Sequence, residues 1–136
     1  AKGMKFGTHG STFGGNPLAS AVGNAVLDVI LADGFFDRVH QAASHMRQQL
    51  AMIVERNKDV FEEVRGQGFL LGLKCRLPNG EVGDALRAQG MLSALAGENV
   101  VRLLAPLIVE PAHIAEATGM IEAACASLRA AARKAS

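Results

Sequence analysis

Between Gly7 and Gly15 the chain gathers four glycines, three hydroxyl residues and one histidine: Gly7-Thr8-His9-Gly10-Ser11-Thr12-Phe13-Gly14-Gly15. Glycines let a backbone approach a ligand closely and turn left-handed at low steric cost. Hydroxyls and free N–H groups supply the donors that a phosphate needs. Asn16 and Pro17 follow, a favoured N-cap and a favoured first helical residue, so the loop should give way to a helix there. The stretch is not a Walker loop, because the chain has no GxxxxGK followed by Ser or Thr, and it is not GxGxxG either. Taken alone, its residues allow two readings: an anion-binding loop, or an ordinary glycine-rich connection. His9 has the residue type of a proton carrier, although a lone histidine in such a loop also serves a structural role.

A second residue with chemical potential is Arg102, set inside the hydrophobic run Val100-Val101-Arg102-Leu103-Leu104. A buried guanidinium needs a carboxylate partner, since an unpaired buried charge is costly. The alternative is an edge-strand arginine directed into water. No GxSxG nucleophile motif is present, and Glu62 and Glu63 are adjacent in an expected strand, which sends their side chains to opposite faces. His40 and His45 are five apart, whereas a helical metal pair wants four, so both read as surface histidines.

The chain of 136 residues is long enough to bury a core, and 49% hydrophobic with 20% charged residues is a globular composition. A net charge of +1 gives no electrostatic reason for a nucleic-acid or membrane partner. Cys75 and Cys125 are far apart and form no CxxC, which favours two buried thiols in a reduced, cytoplasmic protein. No apolar run approaches the roughly 20 residues of a membrane span. The first residue is Ala, not Met, and the chain is expected to be a piece of a longer protein.

The elements that must position these residues follow from periodicity. A helix is expected over Pro17 to about Leu31, with Leu18, Val22, Ala25, Val26, Val29 and Ile30 at helical spacing. Gly23 within it implies a close packing contact. A second helix should run from Phe35 to Arg56, burying Phe35, Val39, Met46, Leu50, Ile53 and Val54. Strands are expected at Val60–Gly66, Phe69–Cys75, Met91–Leu95 and Val100–Leu104, with a short helix over Glu81–Gln89. A last helix should start at Glu110-Pro111 and reach about Ala131, burying Ile114, Ala117, Ile121, Ala124 and Leu128. Arg129, Arg133 and Lys134 then suit its solvated C-terminal end. This order predicts an α+β fold, helices packed on one face of a small, mostly antiparallel sheet.

The string Gly-Thr-His-Gly-Ser-Thr-Phe-Gly-Gly-Asn-Pro-Leu-Ala from Gly7 to Ala19 resembles the signature loop of class III (subgroup II) pyridoxal-phosphate aminotransferases. Two further segments are similar to that family: Val64-Arg-Gly-Gln-Gly-Phe-Leu-Leu-Gly72, and Asn99-Val-Val-Arg-Leu-Leu-Ala-Pro-Leu107. Ala105 stands where the family often has a proline.

The resemblance implies the C-terminal small domain of a fold-type I enzyme over residues 16–136. Residues 1–15 would then be the cofactor-phosphate loop at the tail of the large domain. It implies that Ser11 and Thr12, Thr12 above all, reach the phosphate of pyridoxal 5'-phosphate held by the partner subunit of a homodimer. It also implies that Arg102 lines the substrate pocket and pairs with an acidic residue, while Arg65 holds its own segment by hydrogen bonds. The implied reaction passes the amino group of N-acetylornithine to 2-oxoglutarate, a step of arginine biosynthesis. Ornithine or succinylornithine as donor, or a non-catalytic binding module of the same fold, are the alternatives.

The resemblance implies that the family's Schiff-base lysine lies upstream of Ala1, and none of Lys2, Lys5, Lys58, Lys74 or Lys134 stands in its context. The polypeptide by itself is therefore expected to be inactive. Its first helix would lack the surface that covers it, and exposed apolar patches favour association. Sedimentation of the isolated chain is expected to show oligomers; a monomer at tens of micromolar would contradict this.

Overall fold

The computed structural model describes residues 3, 5–7 and 10–135. Its elements are α1 (Pro17–Ile30), α2 (Phe35–Arg56), β1 (Phe61–Gln67), β2 (Leu70–Cys75), α3 (Asn79–Ala88), β3 (Ala94–Ala96), β4 (Val100–Leu104) and α4 (Pro111–Ala135). They fall into two compact units, residues 1–36 and residues 37–136.

In the first unit α1 starts as its sequence dictates. Asn16 takes extended backbone angles and its Oδ1 accepts the Ala19 N–H at 2.9 Å, while Pro17 occupies the first turn. The helix ends where Leu31 N–H reaches the Leu27 carbonyl at 2.8 Å. No residue of α1 is buried: Leu18, Val22, Val26, Leu27 and Val29 are 50 to 75% exposed. The close contact expected at Gly23 is absent, since a Cβ there would meet no described atom within 4 Å.

In the second unit the strands form one sheet in the order β1-β2-β4-β3, every pair antiparallel. Leu71 pairs with Leu103 and Leu73 with Val101, so these four side chains share one face, and all are buried. Onto that face pack Ala43, Met46, Leu50, Ile53 and Val54 of α2, Val82 and Leu86 of α3, and Ile114, Ile121, Ala124 and Cys125 of α4. Each fully buried Leu, Ile or Val contributes about 1.5–3 kcal/mol. The other face carries Arg65, Gln67, Leu70, Arg102 and Leu104, all exposed.

Glu62 is an extra residue at a bulge between Phe61 and Glu63, so the two carboxylates do not alternate across a regular strand. Gly66 in the β1–β2 hairpin has φ +103°, and a Cβ there would overlap the Leu70 carbonyl. Arg47 of α2 fastens that hairpin, its Nη1 donating to the Gly66 carbonyl at 2.8 Å.

Arg129 departs from the expected solvated helix end. Helix α4 continues to Ala135, so Arg129 lies inside it and grips the turn after α2. Its Nε and Nη2 donate to Asp59 at 2.6 and 2.8 Å, and Nη2 also donates to Asn57 Oδ1 at 2.6 Å. Asn57, 1% exposed, donates from Nδ2 to the Ile53 carbonyl at 2.7 Å and to Glu122 at 3.1 Å. Arg56 closes the cluster on Glu122 Oε1 at 2.6 Å.

The hydrogen bond from Arg129 holds the Asp59 carboxyl below its ordinary value. Burial raises Glu122, but hydrogen bonds from Arg56 and Asn57 outweigh it and the net shift is downward. Depressed carboxylates stabilise the fold above their ordinary values, 3.8 and 4.5, and that stability drains away as pH falls below them. Urea unfolding is therefore expected to show lower stability at pH 3 than at pH 7. At pH 7 Asn57→Ala should cost about 1–3 kcal/mol, because it strands buried partners; a cost near zero would remove this cluster from the fold's supports.

Candidate functional site

The two groups with chemical potential lie in different units, and each is built locally. In the loop, Ser11 Oγ accepts the Gly14 N–H at 2.9 Å, which bends residues 11–14 into a tight turn. Asn16 reinforces the turn, its Nδ2 donating to the Phe13 carbonyl at 2.6 Å. Gly15 then takes φ +71°, a left-handed conformation that glycine adopts without strain and that leads the chain into α1.

Ser11 thus spends an acceptor lone pair on the turn, while its O–H can still donate. Thr12 is exposed, and its hydroxyl has no hydrogen-bond partner among the described residues. No carboxylate occurs from Gly7 to Ala25. Exposed hydroxyl donors in a run that carries no carboxylate suit the phosphate of a cofactor, so the residues present fit that group. His9 and Thr8 lie outside the described residues.

In the sheet, Arg102 stands in β4, opposite Gly72 on β2 and Ala94 on β3. Strand β4 is interior to the sheet, so the edge-strand alternative does not hold, and the side chain is not buried either. Pleat alternation explains this: Val101 and Leu103 turn to the core and Arg102 to the open face. Its guanidinium makes no ion pair or hydrogen bond among the described residues.

The neighbouring cation differs. Arg65 pairs with the far side of Gly72 on the same face, and its Nε and Nη1 donate to Glu63 and Glu98, each at 2.6 Å. Arg65 therefore does hold its segment, through two carboxylates, and its hydrogen bond keeps the Glu98 carboxyl below the ordinary range. Of these two guanidinium groups, Arg102 is the one whose donors no described residue uses.

The remaining residues with reactive side chains are quiet. Burial pushes the thiols of Cys75 and Cys125 up to about 11, so neither is a nucleophile at neutral pH. His40 and His45 are exposed, and no group of three metal-ligating side chains occurs among the described residues. No single helix among those residues is long and apolar enough to cross a membrane.

Residues 1–125 match the aminotransferase class-III family, and the chain belongs to it. Among curated relatives it is 54% identical to the acetylornithine aminotransferase of Agrobacterium fabrum over 130 residues, 96% of this chain and 33% of that protein. It is 56% identical over 124 residues to that of Brucella melitensis, 91% of this chain and 31% of the relative.

Among solved structures it is similar to acetylornithine aminotransferase from Elizabethkingia anophelis, with TM-score 0.78 and 30% identity over 91% of this chain and 33% of that one. It is also similar to an ornithine aminotransferase from Toxoplasma gondii, which carries PLP at partial occupancy in its active site, with TM-score 0.75 and 32% identity over 90% of this chain and 30% of that one. The chain thus spans about a third of the length of these relatives.

An exposed, unpaired arginine contributes little to folding. Arg102→Ala is expected to change the unfolding free energy by no more than about 0.5 kcal/mol. Leu103→Ala, next to it but buried, should cost about 2–5 kcal/mol. Equal losses in urea titrations of the two variants would mean that Arg102 serves the fold.

Proposed function

We propose that this chain is the C-terminal part of a pyridoxal-phosphate-dependent acetylornithine aminotransferase, a cytoplasmic homodimer acting in arginine biosynthesis. The observation that carries the reading is identity of 54–56% with acetylornithine aminotransferases across more than nine-tenths of the chain. The solved structures do not separate the donors, at 30% identity for an acetylornithine and 32% for an ornithine enzyme. It is the curated relatives that favour N-acetylornithine as amino donor; 2-oxoglutarate would be the acceptor. Residues 1–15 would form the phosphate loop at the end of the large domain, and residues 16–136 the small domain.

In this reading Thr12 donates its free hydroxyl to the cofactor phosphate across the dimer interface. Ser11 shapes the turn that presents Thr12 and donates its own proton beside it. Arg102 offers an unpaired, planar pair of donors to a carboxylate, a geometry that orients as well as attracts. Pyridoxal phosphate, when bound, supplies the electron sink for amino transfer. The lysine that bonds to it would belong to the part of the enzyme outside this chain, so the chain alone would be inactive.

Assay of the complete enzyme with N-acetylornithine, ornithine and succinylornithine tests the donor, and N-acetylornithine should give the highest kcat/KM. Thr12→Ala in that enzyme should weaken cofactor retention by about 1.5–3 kcal/mol, the worth of a hydrogen bond to a charged group. Cofactor titration followed by absorbance measures this, and unchanged affinity would count against the assignment.

A further inference from the structure

Arg102 has no side-chain partner among the described residues, so its place depends on how β4 is held. The holding device lies three residues upstream, in the turn joining β3 to β4. Glu98 and Asn99 both have positive φ, 58° and 60°. Left-handed backbone is costly for a residue with a side chain; Asn bears it better than most, and Glu is a poor occupant.

Hydrogen bonds from several directions hold the turn. Asn99 Nδ2 donates to the carbonyls of Cys75 and Leu77 at 2.7 and 2.9 Å. Asn99 Oδ1 accepts the Asn79 N–H at 2.7 Å, a donor at the start of α3 that has no partner within its helix. The Asn99 carbonyl accepts the Cys75 N–H at 2.9 Å. Asn79 returns the grip: its Nδ2 donates to the carbonyls of Ala96 and Val100, at 3.0 and 3.1 Å, which face each other across the turn. Lys74 donates to the Glu98 carbonyl, and Arg65 takes its carboxylate at 2.6 Å.

We infer that Asn99 and Asn79 are positioning residues for Arg102. Together they tie the β3–β4 turn to the end of β2 and the start of α3, which fixes β4 in the register that sets Arg102 opposite Gly72. A slip of one residue would exchange Arg102 with a core position. A smaller displacement would move an unanchored guanidinium relative to whatever carboxylate it meets. Asn suits position 99 because it tolerates the left-handed backbone and also offers two donors and an acceptor. Gly would keep the first property and lose the second. The inference rests on the reading that Arg102 meets a substrate carboxylate.

The test is steady-state kinetics of the complete, cofactor-loaded enzyme with N-acetylornithine, comparing Asn99→Gly, Asn79→Ala, Arg102→Ala and Asn57→Ala. Asn57→Ala weakens the fold at a cluster that shares no hydrogen bond with the β3–β4 turn, and so controls for plain destabilisation. Asn99→Gly and Asn79→Ala are expected to raise KM about five- to tenfold, following Arg102→Ala in direction, with kcat within twofold and cofactor content unchanged. Asn57→Ala should lower Tm and leave KM alone. If Arg102→Ala raises KM while Asn99→Gly and Asn79→Ala do not, the positioning role is overturned and the reading of Arg102 stands. If Arg102→Ala leaves KM unchanged, that reading falls and the inference with it. A rise in KM for Asn57→Ala equal to the others would reduce the effect to lost stability. Should Asn99→Gly not fold, Asn79→Ala, which leaves the left-handed residues in place, decides.

Discussion

Leu71, Leu73, Val101 and Leu103 face the helices because β2 and β4 pair in a single register. A strand turns its side chains over at every residue, so that register also decides what the open face displays. Burial of the four apolar side chains strongly favours it, since any odd slip would drive Arg102 into the core and expose Val101 or Leu103. The same constraint that builds the core thus delivers an arginine to the opposite surface. Gly72 between Arg65 and Arg102 belongs to the arrangement: a Cβ there would run into the Val100 side chain at 2.7 Å.

Two clusters of polar side chains frame this sheet. Near the end of α2, Asn57, Asp59, Glu122 and Arg129 bind α4 to the start of β1. At the other end, Asn79 and Asn99 bind α3 to the β3–β4 turn. In both, an asparagine satisfies backbone groups that the regular elements leave over, as buried polar groups require. The sheet between them is left to hydrophobic packing, which is non-directional and does not by itself choose where a turn begins.

The N-terminal unit is organised differently. Residues 11–19 are shaped by local bonds: Ser11 accepts from Gly14, and Asn16 donates to Phe13 and accepts from Ala19. No residue of its helix is buried. Such a segment depends on other surfaces for its packing, which agrees with a chain that spans about a third of its relatives' length.

Much of this was legible from residues alone. Helix α2 runs from Phe35 to Arg56 as its 3.6-residue period demands, and β4 covers Val100 to Leu104 as expected. The cap at Asn16 and the family loop were readable because they are local chemistry, encoded in neighbouring residues. Long-range partnerships were not legible. That β4 is interior to the sheet, that Arg129 reaches Asp59 across 70 positions, and that Arg65 is neutralised while Arg102 is not, all arise between segments distant in the chain. Periodicity says which face of a strand is apolar, but strand order and side-chain pairing are decided only when the whole core packs. For that reason the sequence named the residues with chemical potential, and the tertiary structure determined which of them was left with donors to spare.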